Sequence, residues 1–262
     1  MLVRVADTGP VASAFWRMAL ATPVLLAVAL LLRRREAAPL SLAALPWGLG
    51  LAAGALFAAD LAVWHLGIVR TTTANATLFA NTTAFMLAGW AILIKHERPS
   101  ASTARALALA LAGALLLFGS SAQMSSAHLL GDLLSLLAAA FYTGYLLVIM
   151  RLRDRLTTST VLGMSTLMSA GLLLPVALLE PGVFWPTDWR PVVALAASSQ
   201  LIGQGLMVFA TGRLPAFIVG IGLLMQPLVS AAAGWLAFGE TLGAVEIIGA
   251  LMIASALLLV RR

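Results

Sequence analysis

The chain has 262 residues, of which 61% are hydrophobic and only 10% are charged, and its mean hydropathy is +1.01. An ordinary soluble domain is about 45–50% apolar and about 25% charged. The composition therefore excludes a soluble enzyme. The recurrence of long apolar runs along the whole chain excludes a receptor with a single membrane anchor.

Apolar runs separated by polar, Gly and Pro residues predict nine membrane-spanning helices. In chain order they cover residues 11–32, 45–68, 72–94, 102–119, 130–150, 159–179, 191–211, 214–238 and 243–260. A helix rising 1.5 Å per residue needs about 20 residues to cross the roughly 30 Å of bilayer hydrocarbon. The fold class predicted is an all-α integral membrane protein.

Basic residues predict the orientation, because Lys and Arg accumulate in cytoplasmic loops. One set of alternating loops holds twelve of them and the other holds three. The twelve are Arg33, Arg34, Arg35, Lys95, Arg98, Arg105, Arg151, Arg153, Arg155, Arg213, Arg261 and Arg262, and the three are Arg4, Arg70 and Arg190. The C-terminus is therefore expected on the cytoplasmic side of the membrane.

An internal repeat appears when the sequence is shifted by 143 residues, which places Arg70 on Arg213 and Glu97 on Glu240. The first four predicted helices match the last four, and matched helices run in opposite directions because an odd number of spans separates them. We predict two inverted-topology repeats of five helices, over residues 1–120 and 130–262, as in many secondary transporters. Helix 130–150 has no partner, so we expect the first helix of the first repeat to be missing before Met1.

Several motifs resemble the EamA-type ten-helix branch of the drug/metabolite transporter superfamily. They are GP at 9–10, FWRMALA at 15–21, GDLLSLLAAA at 131–140, GET at 239–241 and IGA at 248–250. The sequence KHERP at 95–99 departs from the simpler Gly-Glu turn of that family. The resemblance implies ten helices in two inverted halves, a central cavity lined by the first four helices of each half, and export of small metabolites. Bacterial amino-acid exporters, including those of aromatic amino acids, are similar in size.

Ionisable side chains inside spans are rare and are candidates for function. Arg17 and Asp60 are expected about 10 and 15 Å below the outer surface, counted at 1.5 Å per residue, so they are candidates for an ion pair. That pair has either a structural or a functional role. His65 lies one turn above Asp60, and both are candidates for proton coupling. Asp132 lies near a helix start, where the helix dipole favours an acidic residue.

Uncharged polar and aromatic residues supply the remaining candidates for substrate binding. Asn75, Phe79 and Thr82 share one helix face, and Gln200 and Gln204 form an i, i+4 pair. Gln226 occurs in the helix matched to that of Asn75, so polar groups recur in corresponding helices, as a site at the repeat interface requires. The full predicted substrate-binding set is Trp16, Arg17, Asp60, Trp64, Asn75, Phe79, Thr82, Tyr142, Tyr145, Gln200, Gln204 and Gln226.

These observations predict a secondary transporter that exports small polar or amphipathic metabolites. Amino acids, including aromatic amino acids, are the first candidates for the substrate. The alternatives are a carrier of the same fold for drugs or other metabolites, or a membrane assembly subunit that transports nothing. The chain has no cysteine, no paired histidines and no GxSxG, HExxH or GxxxxGK[ST] motif, so we expect no enzyme, metal or cofactor. The expected partners are the lipid bilayer and the substrate, without nucleic acid, in a monomer or weak homo-oligomer.

Overall fold

The computed structural model describes residues 7–33, 41–119, 125–226, 228–229 and 243–260. The described part contains nine helices, of which α3 and α7 are built from consecutive pieces. They are α1 (Pro10–Arg33), α2 (Trp47–Ile68), α3 (Thr73–Ala80 and Thr82–Leu93), α4 (Ala101–Gly119), α5 (Leu129–Arg153), α6 (Thr158–Leu179), α7 (Arg190–Leu195, Ala196–Gln204 and Gly205–Thr211), α8 (Ala216–Leu223) and α9 (Ala244–Val260). A short 3₁₀ helix, Leu42–Ala44, precedes α2.

The prediction of an all-helical membrane protein is confirmed. Among the described residues, α1, α2, α3, α5, α6 and α7 are long and apolar enough to cross a bilayer, and α4 and α9 are shorter apolar helices. The predicted helix 214–238 corresponds to α8, and its stretch 230–238 lies outside the described residues. Large apolar side chains such as Leu133, Leu206 and Leu258 are exposed, as expected of helix faces that contact lipid.

Two predicted helices differ in detail from continuous α-helices. The predicted helix 72–94 is interrupted at Asn81. There the side-chain amide of Asn81 donates to the Thr77 carbonyl at 2.7 Å, and the Thr82 hydroxyl donates to the Phe79 carbonyl at 2.5 Å. Such bonds compete with the backbone ladder for carbonyl groups. In the predicted helix 191–211, residues Ala196–Gln204 form a wider π-helix, a deviation frequent at functional sites.

The helices form two compact units, each built from segments far apart in the chain. Unit 1 consists of residues 1–66 and 141–213, and unit 2 consists of residues 67–140 and 214–262. Unit 1 therefore contains α1, α2, the C-terminal part of α5, α6 and α7. In unit 1, α1 packs along α6, and α2 approaches α6 so closely that a Cβ on Gly54 would lie 2.3 Å from the Met168 Cβ.

Unit 2 contains α3, α4, the start of α5, α8 and α9, with α4 packed along α9 and α3 against α8. Its core is rich in alanine, which lets helix backbones come close together. Four alanines on α3 and α4 meet apolar residues of α8 and α9. The core consists of Ala84, Ala106, Ala110, Ala114, Leu117, Ile221, Leu224, Ile253 and Ala256.

The helices that pack in pairs are those that the internal repeat matches. The pairs α1–α6, α3–α8 and α4–α9 each combine one helix from residues 1–120 with one from residues 130–262. Because each unit draws helices from both stretches, the compact units cut across the predicted repeats. The repeat boundaries themselves stay a prediction.

Candidate functional site

Buried polar atoms without a hydrogen-bond partner mark a candidate site. Native proteins satisfy nearly all such atoms, so each exception calls for a water, an ion or a ligand. The described residues contain seven: Thr8 Oγ1, Ser13 Oγ, Arg17 Nε, His65 Nε2, Tyr145 Oη, Gln200 Oε1 and Gln204 Oε1. All seven belong to unit 1.

Arg17 on α1 is the most costly of these groups to leave without a partner. Its side chain is 7% exposed, and it forms no hydrogen bond or salt bridge with any described residue. Its guanidinium carbon lies 5.8 Å from the centre of the Phe57 ring on α2, a cation–π contact. A buried cation inside a membrane is costly and is a candidate for function, so Arg17 is a candidate to bind an anionic group.

Asp60 on α2 carries the opposite charge and interacts electrostatically with Arg17. Among the described residues, Arg17 and Asp60 form no salt bridge with each other, so the nitrogen atoms of one lie more than 4.0 Å from the carboxylate oxygens of the other. The predicted ion pair is thus an attraction across a gap rather than a contact. Such a gap suits a ligand that carries both charges, a positive group toward Asp60 and a negative group toward Arg17.

An aromatic wall lies beside Arg17. Phe57 stacks on Tyr145 with ring centres 4.5 Å apart, and Tyr142 lies 5.8 Å from Tyr145 on the same helix, α5. The Tyr145 ring is fully buried, and its hydroxyl is one of the seven atoms without a partner. The two predicted tyrosines are therefore brought together with Arg17 in unit 1.

The predicted glutamines both lie in the π-helix of α7. The Gln200 amide nitrogen donates to Thr166 Oγ1 at 2.8 Å, and the Gln204 amide nitrogen donates to Tyr142 Oη at 3.3 Å. These bonds hold the two amides by their nitrogen atoms, while both carbonyl oxygens remain without a donor. The wall of the site at α7 therefore presents hydrogen-bond acceptors.

His65 and Trp64 lie one turn beyond Asp60 on α2. The fully buried His65 ring has its Nδ1 atom 2.6 Å from the Leu61 carbonyl oxygen, and its Nε2 atom has no partner. Trp64 packs edge-on against the His65 ring, with centroids 5.0 Å apart. The proton-coupling role expected of His65 and Asp60 stays a prediction.

Trp16 packs against the loop between α6 and α7, and its predicted contact with substrate stays a prediction. Its indole nitrogen donates to the Phe184 carbonyl at 2.7 Å, and its ring lies 4.9 Å from Trp185 and 5.0 Å from Trp189. The same loop is tied to the start of α1, where Asp7 accepts hydrogen bonds from Thr187 and Asp188. Hydrogen bonding, chiefly from the Thr187 hydroxyl, lowers the pKa of Asp7 below its ordinary value.

The predicted candidates of unit 2 have their polar groups satisfied or exposed. Asn75 is fully buried and donates to both carboxylate oxygens of Asp132, at 2.9 and 3.1 Å, while Thr71 donates to the same carboxylate at 2.5 Å. Asp132 thus joins the start of α5 to α3, beyond the helix-start role expected for it. Phe79 and Thr82 flank the break at Asn81, and Gln226 is exposed. Substrate contact by these four predicted residues stays a prediction.

Three residues of the site were not predicted from the sequence. Ser13 lies four residues before Arg17 on the same face of α1, Phe57 stacks under Tyr145, and Thr166 holds Gln200. The sequence feature that could have identified Ser13 is its hydroxyl, four residues before the buried Arg17. Among the described residues, no group of three His, Cys, Asp or Glu side chains is placed to hold a metal ion.

Comparison with known proteins assigns the chain to a family. The model of the EamA-like transporter family matches residues 1–119 and 129–262. Two curated relatives, the threonine/homoserine exporter RhtA of Salmonella typhimurium strains SL1344 and LT2, are each 29% identical over 150 residues, 56% of this chain and 50% of theirs. The matched stretch thus spans about half the length of these relatives. A crystal structure with 19% identity and a TM-score of 0.80, covering 95% of this chain and 88% of that chain, has the same fold.

Proposed function

Because the chain belongs to the EamA-like transporter family, we propose that it exports small amino acids across a bacterial inner membrane by alternating access. The observation that carries this proposal is Arg17, a buried cation without a hydrogen bond or salt bridge among the described residues. An amino acid is a zwitterion, so it carries the two charges that complement Arg17 and Asp60. Its carboxylate would bind the guanidinium, in the paired geometry that arginine favours, and its ammonium group would face Asp60.

The oxygens of Gln200 and Gln204 support a preference within the amino acids. A buried acceptor left without a donor costs about 1–3 kcal/mol, so a substrate side chain that donates a hydrogen bond is favoured over an apolar one. The names of the two curated relatives refer to threonine and homoserine, both hydroxylated amino acids. We therefore propose hydroxylated amino acids as the first substrates to test, ahead of aromatic ones that would stack on Tyr142.

Asp60 supports proton coupling as part of the same proposal. The Asp60 carboxylate can bind the ammonium group of the substrate or a proton, but not both at once. An exporter that is driven by proton entry requires such competition between substrate and proton. His65, buried one turn away, is the second candidate for the proton path. The inner membrane, a cytoplasmic C-terminus and a monomeric or weakly oligomeric state complete the proposal.

The test is counterflow of labelled threonine in proteoliposomes, with valine as the isosteric competitor without a hydroxyl. We expect threonine to exchange and R17Q to lower kcat/KM by about 10- to 150-fold, the cost of one charge-assisted interaction of about 1.5–3 kcal/mol. The matched control is R190Q, which removes an exposed arginine at the start of α7. Threonine amide, which lacks the carboxylate, should inhibit poorly.

Other outcomes decide between the alternatives. Exchange of drugs but no amino acid would favour an efflux carrier for other compounds, and the absence of any exchanged solute would favour an assembly subunit. Equal losses in R17Q and R190Q would contradict carboxylate binding at Arg17. In D60N, a full response of transport to an imposed pH gradient would rule out proton coupling through Asp60.

A further inference from the structure

Two arginines are held near each other at one end of unit 1, away from the candidate site. Arg153 is the last residue of α5, and Arg213 follows the end of α7 by two residues. The Arg153 Nε donates to the Val208 carbonyl at 3.2 Å, and its Nη1 donates to the Leu156 carbonyl. These two bonds fix the Arg153 guanidinium beside the last turn of α7.

Gly212 makes room for the Arg153 guanidinium. A Cβ atom at position 212 would lie 2.6 Å from both the Nε and the Nη2 atoms of Arg153, closer than any contact allows. The φ angle of Gly212 is negative, so the backbone conformation at this position does not require a glycine. A side chain at position 212 would therefore displace the Arg153 head group from this place.

Arg213 is held by an aromatic ring. Its guanidinium carbon lies 3.7 Å from the centre of the Phe209 ring, one turn earlier on the same helix. The charges of Arg153 and Arg213 repel each other. Neither forms a salt bridge with a described carboxylate, and this includes the adjacent Asp154. Two fixed cations that repel each other are stabilised by an anion between them.

The face of α7 that leads to Arg213 is apolar and exposed. Ile202, Leu206 and Phe209 are 61%, 65% and 47% exposed, and they precede Arg213 at steps of four, three and four residues. Residues at this spacing share one helix face. On a helix of membrane-spanning length, such a face contacts acyl chains. The arginines therefore lie at the polar end of a surface suited to a lipid tail.

We propose that Arg153 and Arg213 bind the phosphate group of an anionic phospholipid whose acyl chain lies along Ile202, Leu206 and Phe209. Guanidinium groups bind phosphate through paired hydrogen bonds. Basic pockets between membrane helices bind anionic lipid head groups in the same manner. The apolar face distinguishes this ligand from free phosphate, which needs only the two arginines.

Native mass spectrometry of the full chain, released from detergent with added lipid, tests the proposal. We expect phosphatidylglycerol to be retained more strongly than phosphatidylcholine, and R213Q to weaken its binding by about fivefold, as about 1 kcal/mol per arginine predicts. G212A leaves the charge unchanged but displaces Arg153, so it should also weaken binding. R190Q, at the other end of α7, is the matched control and should bind as the unmodified chain does.

Three results would overturn the proposal. The first is an equal loss of lipid in R190Q and R213Q, since this would mean attraction to overall charge. The second is equal retention of phosphatidylglycerol and phosphatidylcholine. The third is complete displacement of the lipid by inorganic phosphate, which would make free phosphate the ligand. Thermal unfolding of each variant, measured alongside, shows whether G212A remains folded, and R213Q supplies the test if it does not.

Discussion

Some buried polar side chains of this protein have hydrogen-bond partners for their polar atoms, and others do not. Asn75 and Asp132 satisfy each other through two hydrogen bonds, with Thr71 as a further donor. Arg17 Nε and the side-chain oxygen of Gln204 have no hydrogen-bond partner among the described residues. A satisfied buried group contributes to stability, whereas an unsatisfied one costs stability and is explained by a ligand.

This contrast predicts opposite effects of two substitutions. N75L removes the two hydrogen bonds that Asn75 donates to the buried Asp132. It should therefore lower the free energy of unfolding by about 1–3 kcal/mol, while the molecules that fold keep their transport rate. Q204M removes an acceptor that has no donor, together with the 3.3 Å hydrogen bond from the Gln204 amide to Tyr142 Oη. It should therefore cost less stability than N75L, and it should slow transport. Thermal unfolding in detergent and counterflow per folded molecule measure the two quantities. The same loss of transport in both variants, after correction for folding, would contradict the distinction.

The sequence predicted part of this site because charges inside spans are conspicuous. Arg17 and Asp60 stand out in apolar helices by type alone. Phe57 does not, since one more aromatic residue in a span carries no signal until its ring is found beneath Arg17 and against Tyr145. The polarity of Asn75 predicts that it binds substrate. Polarity alone does not tell whether a partner 57 residues away satisfies the amide.

At the scale of helices, glycine sets how closely two elements approach. A Cβ atom on Gly113 of α4 would lie 2.7 Å from the Gly249 carbonyl of α9, and one on Gly249 would lie 2.6 Å from the Gly113 carbonyl. Gly89 on α3 is a glycine of the same unit with nothing within 4 Å of such an atom. Close backbone contact through small residues is a main source of helix association in membranes.

The α4–α9 contact predicts that G113A destabilises the protein by about 1–3 kcal/mol, the cost of overpacking a tight interface. G89A is the matched control and should be neutral or stabilising by up to about 1 kcal/mol, because alanine is the better helix former. Denaturant or thermal unfolding of both variants in one detergent measures the difference. Equal stability of G113A and the unmodified chain would show that α4 and α9 separate without cost.

Helix positions were predictable because bilayer thickness imposes a length on apolar runs. For example, α1 was expected at 11–32 and is Pro10–Arg33. The break at Asn81 and the π-helix in α7 were not predicted. Both depend on side chains competing for backbone carbonyls, such as Ser198, whose hydroxyl donates to the Ala194 carbonyl at 2.6 Å. Hydropathy contains no information about that competition.

At the scale of the whole molecule, the order of helices in the chain differs from their grouping in space. Unit 1 combines residues 1–66 with 141–213, and unit 2 combines 67–140 with 214–262. In each unit the buried surface of a helix from the first half is covered by its counterpart from the second, as α1 is by α6 and α4 by α9. Neither half of the chain therefore contains a complete unit.

This interleaving predicts how the chain responds to being cut between its halves. Fragments 1–124 and 125–262, expressed separately, should each be degraded or aggregate, because the faces of α1 and α4 remain uncovered in one and those of α6 and α9 in the other. Expressed together, they should copurify and restore amino-acid export, with the uncut chain as the reference. A single fragment that resists protease or exports threonine alone would show that a repeat folds by itself. The two compact units would then form only after each repeat has folded, rather than being the units in which the chain folds.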